Sequence, residues 1–279
     1  MLTTLLRRTR IACLATLVAA TPVAAQAPAA RAPADTAASG SLFTRTDAWI
    51  AGGTVVGTVA LLAADRGITD EMRDAGAQRS GFLRGAARTF DWVGEPGTVV
   101  LSLGMYGTGR LAHHPHLAEL GLRSAEALVV SGALTELLKG VAGRQRPFID
   151  TRDPDDFAFG AGFTRAGHTS FPSGHATAAF AVASVAATEL SAWHPHASRY
   201  LVPLVYGGAS LVALSRVYGA HHWSSDVVAG AGIGTLSGLL VVRFHRLHPR
   251  SRFDRVLLGV HPVVTGDRGV GLVWRVATR

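Results

Sequence analysis

Along most of the chain the apolar positions fall in long blocks and do not alternate with polar ones. Six blocks stand out, at about 47–64, 97–112, 122–142, 175–193, 199–217 and 225–244, each rich in Ala, Gly, Leu and Val. Apolar runs of this length without a two-residue period predict helices. Gly, Pro and charged clusters mark the breaks, as in Asp65-Arg66-Gly67, Glu95-Pro96-Gly97 and His194-Pro195. A shorter, weaker helix is expected over 81–93. The pattern changes only near the end. There Val256–Val264 and Val270–Val276 flank Thr265-Gly266-Asp267-Arg268-Gly269, which predicts a β-hairpin with Val270, Leu272, Trp274 and Val276 on one face. The expected fold is all-α, a bundle of about six helices over 47–250, with a short C-terminal hairpin in the tail 251–279.

The N-terminal segment reads differently. Arg7, Arg8 and Arg10 precede an apolar stretch from Ile11 to Ala20, which is too short to span a bilayer by itself. Small residues follow, with Val23-Ala24-Ala25 and Ala25-Gln26-Ala27 as two competing cleavage patterns. This order is that of an export signal, here expected over 1–27, with a flexible linker over 28–46. Cleavage would remove three arginines and no acid, so the formal charge of +8 falls by three. It would also remove Cys13, the single cysteine, leaving a mature chain compatible with an oxidising compartment. The expected location is the periplasm or cell envelope.

Composition excludes some classes outright. With 48% hydrophobic and 16% charged residues the chain is not globally disordered. One cysteine excludes both a disulfide scaffold and a Cys-built zinc site. The basic balance suits anionic headgroups and a solvated basic surface equally well. No nucleic-acid partner is expected.

Three short constellations carry candidate chemistry. The first is Lys139-x6-Arg146-Pro147, at the end of the third long helix. Lys139 is the only lysine, against 26 arginines among the 27 cations. A chain that uses Arg almost everywhere keeps a compact ammonium here, and the two are not interchangeable where a charged ligand is positioned. The second is Pro172-Ser173-Gly174-His175, opening the next helix. Ser, Gly and the free N–H groups of a helix start make an anion site, with His175 facing the anion. The third is Ser215-Arg216-x5-His222-x3-Asp226. If that turn is helical, the i, i+4 spacing places His222 and Asp226 on one face. A carboxylate on one imidazole nitrogen fixes the tautomer and leaves the other free to attack. His221 lacks an acid at i+4, since Ser225 stands there.

Together these motifs resemble the type 2 phosphatidic acid phosphatase / vanadium haloperoxidase superfamily, in its phosphatase branch, over residues 122 to about 244. The resemblance implies a helical bundle with a phosphate pocket at one end. It implies that Lys139, Arg146 and Arg216 bind the phosphoryl oxygens, with Ser173 and the Gly174 amide completing the cradle. His222 is then the nucleophile, Asp226 orients it, and His175 protonates the leaving oxygen. Three cations and helix-end donors suit the charge on a phosphoryl group in transfer. No metal and no cofactor are implied, and vanadate is the expected inhibitor. The expected partner is a phosphorylated small molecule or a lipid headgroup.

The branch stays open at this level. A membrane lipid phosphatase, a soluble periplasmic acid phosphatase, a vanadium-dependent haloperoxidase and a non-catalytic membrane scaffold all use such helices. Most of the apolar runs are about 17 residues, the short limit for spanning, and Glu136 and Glu189 lie inside two of them. Three crossings after a cleaved signal would put the pocket inside, where the basic loops at 65–88 and 139–165 also read, whereas the resemblance implies an outward pocket. The aspartate-rich loop 148–171, with Asp150, Asp153, Asp155, Asp156 and His168, is expected to set specificity.

Overall fold

Thr44 and Asp47 start the first helix with a reciprocal cap: the Asp47 carboxylate accepts from the Thr44 amide at 2.6 Å, and the Asp47 amide donates to the Thr44 hydroxyl at 3.3 Å. The computed structural model describes residues 41–248, 260–264 and 270–274. The expected signal and the linker as far as residue 40 lie outside the described residues. The described part is mostly helical. Nine α-helices follow one another: α1 (Arg45–Leu62), α2 (Asp65–Met72), α3 (Ala75–Arg79), α4 (Gly81–Val93), α5 (Glu95–Leu111), α6 (Pro115–Ala142), α7 (Gly174–Trp193), α8 (Pro195–Tyr218) and α9 (Ser224–Leu247). Two 3-10 turns, 161–163 and 166–168, lie in the long loop between α6 and α7.

The six expected blocks correspond to α1, α5, α6, α7, α8 and α9, and the weaker candidate to α4. The sequence places the start of α6 too late, because Pro115 opens it seven residues earlier with a ring suited to a first turn. The cluster at Asp65-Arg66-Gly67 is not a loop. It begins α2, which turns 69° from α1. The backbone of β1 (Val260–Val264) runs antiparallel to β2 (Val270–Trp274), with Val260 opposite Trp274 and Val264 opposite Val270.

Helix α7 is the centre of the bundle and packs against α6, α8 and α9. Its faces are nearly all Ala, Val, Phe, Ser and Thr, and Ala176, Ala181 and Val185 are fully enclosed. The α7–α9 contact is close because α9 offers Gly230, Gly234 and Gly238 at four-residue spacing. A Cβ on Gly230 would stand 2.5 Å from the Ser173 carbonyl oxygen, and one on Gly238 2.6 Å from that of Ala181. Small residues at this period let helix backbones approach without side chains between them.

Among the described residues three helices, α7, α8 and α9, are long and apolar enough to cross a membrane, and the bent pair α1–α2 passes the same test as a unit. Glu189, inside α7, is buried and meets Arg123 at 2.5 Å and Arg246 at 3.4 Å, so the run ends on a paired charge. Large apolar side chains stay exposed on the outer helices, among them Val56 on α1, Val100 and Leu103 on α5, Val129 on α6 and Leu204 on α8.

Candidate functional site

The three sequence motifs arrive at the same end of the bundle because each sits at a helix terminus. Lys139 is in the last turn of α6, Ser173 caps the start of α7, Arg216 is in the last turn of α8, and Asp226 is in the first turn of α9. Gly143 closes α6 in the left-handed region, φ 57° and ψ 38°. A Cβ there would run into the Ala158 carbonyl, so glycine is required both for the turn and for the close approach of the loop. From that turn the chain presents Arg144 and Arg146.

Lys139 is buried, and its Nζ meets the Glu136 carboxylate at 2.6 Å. A Cβ on Gly174 would stand 3.1 Å from that Nζ, so the start of α7 lies directly against the ammonium. Arg146 donates to the Thr169 hydroxyl at 3.1 Å. Arg216 is buried and paired with Asp91 of α4. The Ser173 hydroxyl accepts from the Ala176 amide at 3.5 Å, a long cap, and the Ser173 amide donates to the Asp226 carbonyl at 3.0 Å. His175 places Nδ1 3.3 Å from Glu95 Oε2 and Nε2 3.9 Å from Asp91 Oδ1. The hydrogen bond with His175, and beyond it the charge of Lys139, hold the Glu95 carboxyl below the usual carboxylate range.

His222 and Asp226 do not share a helical face. His222 lies in the turn before α9, and Asp226 in its first turn accepts from the Trp223 amide at 2.9 Å. The expected direct bond between them is absent: Nδ1 is 3.8 Å from Asp226 Oδ2 and instead donates to the Ser170 carbonyl at 2.7 Å. Ser170 links the two, since its hydroxyl donates to Asp226 Oδ2 at 2.5 Å. With the proton fixed on Nδ1, the lone pair is on Nε2. Burial pushes the His222 imidazole down to about 4, so it is neutral at ordinary pH. His221 is pushed to about 4 as well, mainly by partial burial, with its ring edge-on to Phe148. Protonation state therefore does not separate the two histidines; the Ser170–Asp226 relay does.

Sequence reading missed the floor of the site. Arg144 is fully buried and donates to Asp226 at 2.6 Å, to Asp65 at 2.9 Å, to Ser225 at 2.7 Å and to the Pro154 carbonyl. Phe157 and Trp223 flank its guanidinium at 4.9 and 5.4 Å. Asp65, at the α1–α2 bend, is fully buried and takes the Ser224 hydroxyl at 2.5 Å and the Ser225 amide at 2.9 Å. The acids facing the pocket cations were missed too. They are Asp91, Glu95 and Glu136. In the expected specificity loop, the Asp150 and Asp153 carboxylates accept from the amides of Arg152 and Asp155, and His168 bonds the Gly143 carbonyl at 3.1 Å.

Residues 120–250 match the family model described as the PAP2 superfamily. A PA-phosphatase related-family protein of Dictyostelium discoideum is 32% identical over 151 residues, covering 51% of this chain and 54% of that protein. Lipid phosphate phosphatase 1 of Arabidopsis thaliana is 35% identical over 143 residues, covering 43% of this chain and 42% of that one. The chain thus spans about half or less of the length of these relatives. The transmembrane PAP2-type phosphatidylglycerolphosphate phosphatase of Bacillus subtilis has the same fold, with a TM-score of 0.55 and 23% identity over 74% of this chain and 98% of that one. The segment 120–250, with its lysine, arginine and histidine motifs at one end of the bundle, belongs to the PAP2 superfamily.

Proposed function

We propose that this protein is a membrane-associated phosphatase that hydrolyses phosphate esters, lipid phosphates among them, through a phosphohistidine at His222. The observation that carries this reading is the state of His222: buried, neutral, and held by Ser170 with Nε2 free, in a turn bordered by the motif cations. Lys139, Arg146 and Arg216 neutralise the phosphoryl oxygens, and Ser173 and the Gly174 amide complete the cradle. Fixed cations supply the charge stabilisation for which other phosphatases use a metal. Nε2 attacks phosphorus as His175 protonates the departing oxygen. Water then hydrolyses the P–N bond, with His175 positioned to take its proton.

Membrane association is supported by three helices of spanning length and composition and by the exposed apolar side chains of α1, α5, α6 and α8. The signal-like order of residues 1–27 supports an exported enzyme of the cell envelope. The Arabidopsis relative, a lipid phosphate phosphatase by name, and the similarly folded Bacillus phosphatidylglycerolphosphate phosphatase favour a lipid substrate.

The test is turnover of an aryl phosphate by purified protein with a chelator present, followed by acid-labile ³²P labelling. Wild-type protein is expected to turn over, to label at histidine and to be inhibited by vanadate, and His222→Ala to do neither turnover nor labelling. Full activity in His222→Ala with loss in His221→Ala, or abolition by the chelator, overturns the reading.

A further inference from the structure

His175 is enclosed by one short stretch of chain that the motifs do not include. Asp91 is in the last turn of α4, Glu95 begins α5, and Gly94 between them packs flat on the imidazole: a Cβ on Gly94 would stand 2.5 Å from His175 Cδ2. Glu95 faces Nδ1 at 3.3 Å and Asp91 faces Nε2 at 3.9 Å while also pairing with Arg216. Lys139 and Glu95 approach Gly174 at the same point, Nζ 3.1 Å and Glu95 Oε2 3.4 Å from a Cβ built there. Both acids lie outside the matched segment 120–250.

We propose that Asp91 and Glu95 make the leaving-group side of the pocket a carboxylate-backed acid, which selects phosphomonoesters of alcohols over diphosphates. This rests on the phosphatase reading above. Glu95 accepts the Nδ1 proton at 3.3 Å and fixes the ring, so that Nε2 faces the departing oxygen. In the transfer step the Nε2 lone pair of His222 forms the N–P bond. The P–O bond breaks with its electron pair on oxygen, and the His175 Nε2 proton moves to that oxygen to release a neutral alcohol. An alkoxide cannot leave without this proton, so the arrangement is matched to alkyl and glyceryl esters. The departing group of a diphosphate is itself a phosphate. It needs little protonation, and it would carry its charge against two carboxylates. Like charges at this range oppose binding and departure alike. Glu95 is here a positioning residue for His175, and Asp91 a specificity-determining one.

The experiment uses the full chain in detergent with dioctanoyl phosphatidate, 4-nitrophenyl phosphate and farnesyl diphosphate as probes. Wild-type kcat/KM is expected to favour phosphatidate over farnesyl diphosphate by roughly tenfold or more. Glu95→Gln is expected to lose about tenfold more on phosphatidate than on 4-nitrophenyl phosphate, whose phenol leaves with little help. Asp91→Asn is expected to narrow the monoester-to-diphosphate ratio. Because Glu95 is about half exposed, the residual aryl phosphate turnover reports that the variant is folded. Equal losses of Glu95→Gln on both esters, or a diphosphate preference in wild-type protein, overturn this proposal and leave the phosphatase reading standing. Absence of turnover on all three probes by wild-type protein overturns both.

Discussion

His222 donates its Nδ1 proton to the main-chain carbonyl of Ser170, and the side chain of the same serine donates to Asp226. The carboxylate thus holds the imidazole through a third residue. Ser170→Ala keeps the carbonyl and loses the hydroxyl, leaving one oxygen of Asp226 with the Trp223 amide alone. A buried acceptor losing a partner costs about 1–3 kcal/mol. The expected outcome is a lower unfolding midpoint and a fall of about tenfold in kcat, since the loop that aims Nε2 loosens. Asp226→Ala goes further, because Arg144 keeps only Asp65 as a charge partner in the fully buried floor. Breaking a buried pair on one side costs about 3–5 kcal/mol. Denaturation and steady-state kinetics on the two variants check the order; a Ser170→Ala enzyme with wild-type kcat and stability would remove the relay.

The pH dependence follows from His222. Its folded value of about 4 lies below the ordinary 6.5. Between these values the unfolded chain binds a proton at this position and the folded one does not, so stability falls as pH drops from 6.5 towards 4 and is flat above 6.5. His222 itself stays neutral down to about pH 4. Activity on an aryl phosphate, which needs the acid least, is therefore expected to persist below pH 5 with its acid limb near 4. Urea midpoints and kcat/KM across pH 3.5–8 test both statements. An acid limb near the ordinary 6.5 would show that His222 is not held as described.

Lys139→Arg is expected to be far from conservative. The ammonium fits between Glu136 at 2.6 Å and the α7 start, where even a methyl on Gly174 would come within 3.1 Å. A planar guanidinium needs room that Gly174 does not leave, and its donors point elsewhere. A loss of tenfold or more in kcat/KM, about 1.4 kcal/mol of transition-state stabilisation, is expected. Gly174→Ala should cause part of the same loss by displacing the ammonium from the other side. Wild-type kinetics in Lys139→Arg would leave Lys139 as no more than a buried partner of Glu136.

The residues with a motif were legible; their relationships were not. Lys139 announced itself by being the only lysine, and Ser173-Gly174-His175 by opening a helix. Arg144 sits inside the Lys-x6-Arg spacing, yet in a chain with 26 arginines nothing marks it as one that is fully buried. Asp65 looked like a chain break because a charge between two apolar runs normally faces water. Its partners Arg144, Ser224 and Ser225 come from 79 to 160 residues away and turn the break into a fixed bend. The i, i+4 reading of His222 and Asp226 failed for a related reason. Spacing gives a shared face only inside a helix, and α9 begins between the two residues. The acids at His175 lay in segments that only the tertiary fold brings to the pocket. Helix existence, by contrast, followed from block length, whereas the close-packing role of Gly230, Gly234 and Gly238 shows only once α7 lies against α9.

That glycine face gives the last prediction, which separates packing from positioning. Gly230→Ala would push its methyl to 2.5 Å from the Ser173 carbonyl oxygen, at the residue that caps α7 in the proposed cradle. Gly238→Ala makes a similar intrusion, 2.6 Å from the Ala181 carbonyl oxygen, two turns further from the site. Overpacking of this kind costs about 1–3 kcal/mol, so both variants should unfold earlier by comparable amounts. Only Gly230→Ala should also raise KM, because it moves Ser173 and the helix start to which the proposed function assigns the phosphate. Gly208→Ala on α8 is the control, since a Cβ there meets nothing within 4 Å. It should stabilise by up to about 1 kcal/mol through helix propensity alone and leave kinetics unchanged. Thermal unfolding and KM measured side by side on the three variants decide the matter. An equal rise of KM in Gly230→Ala and Gly238→Ala would mean that the α7–α9 contact tunes the whole bundle and does not set the cradle locally.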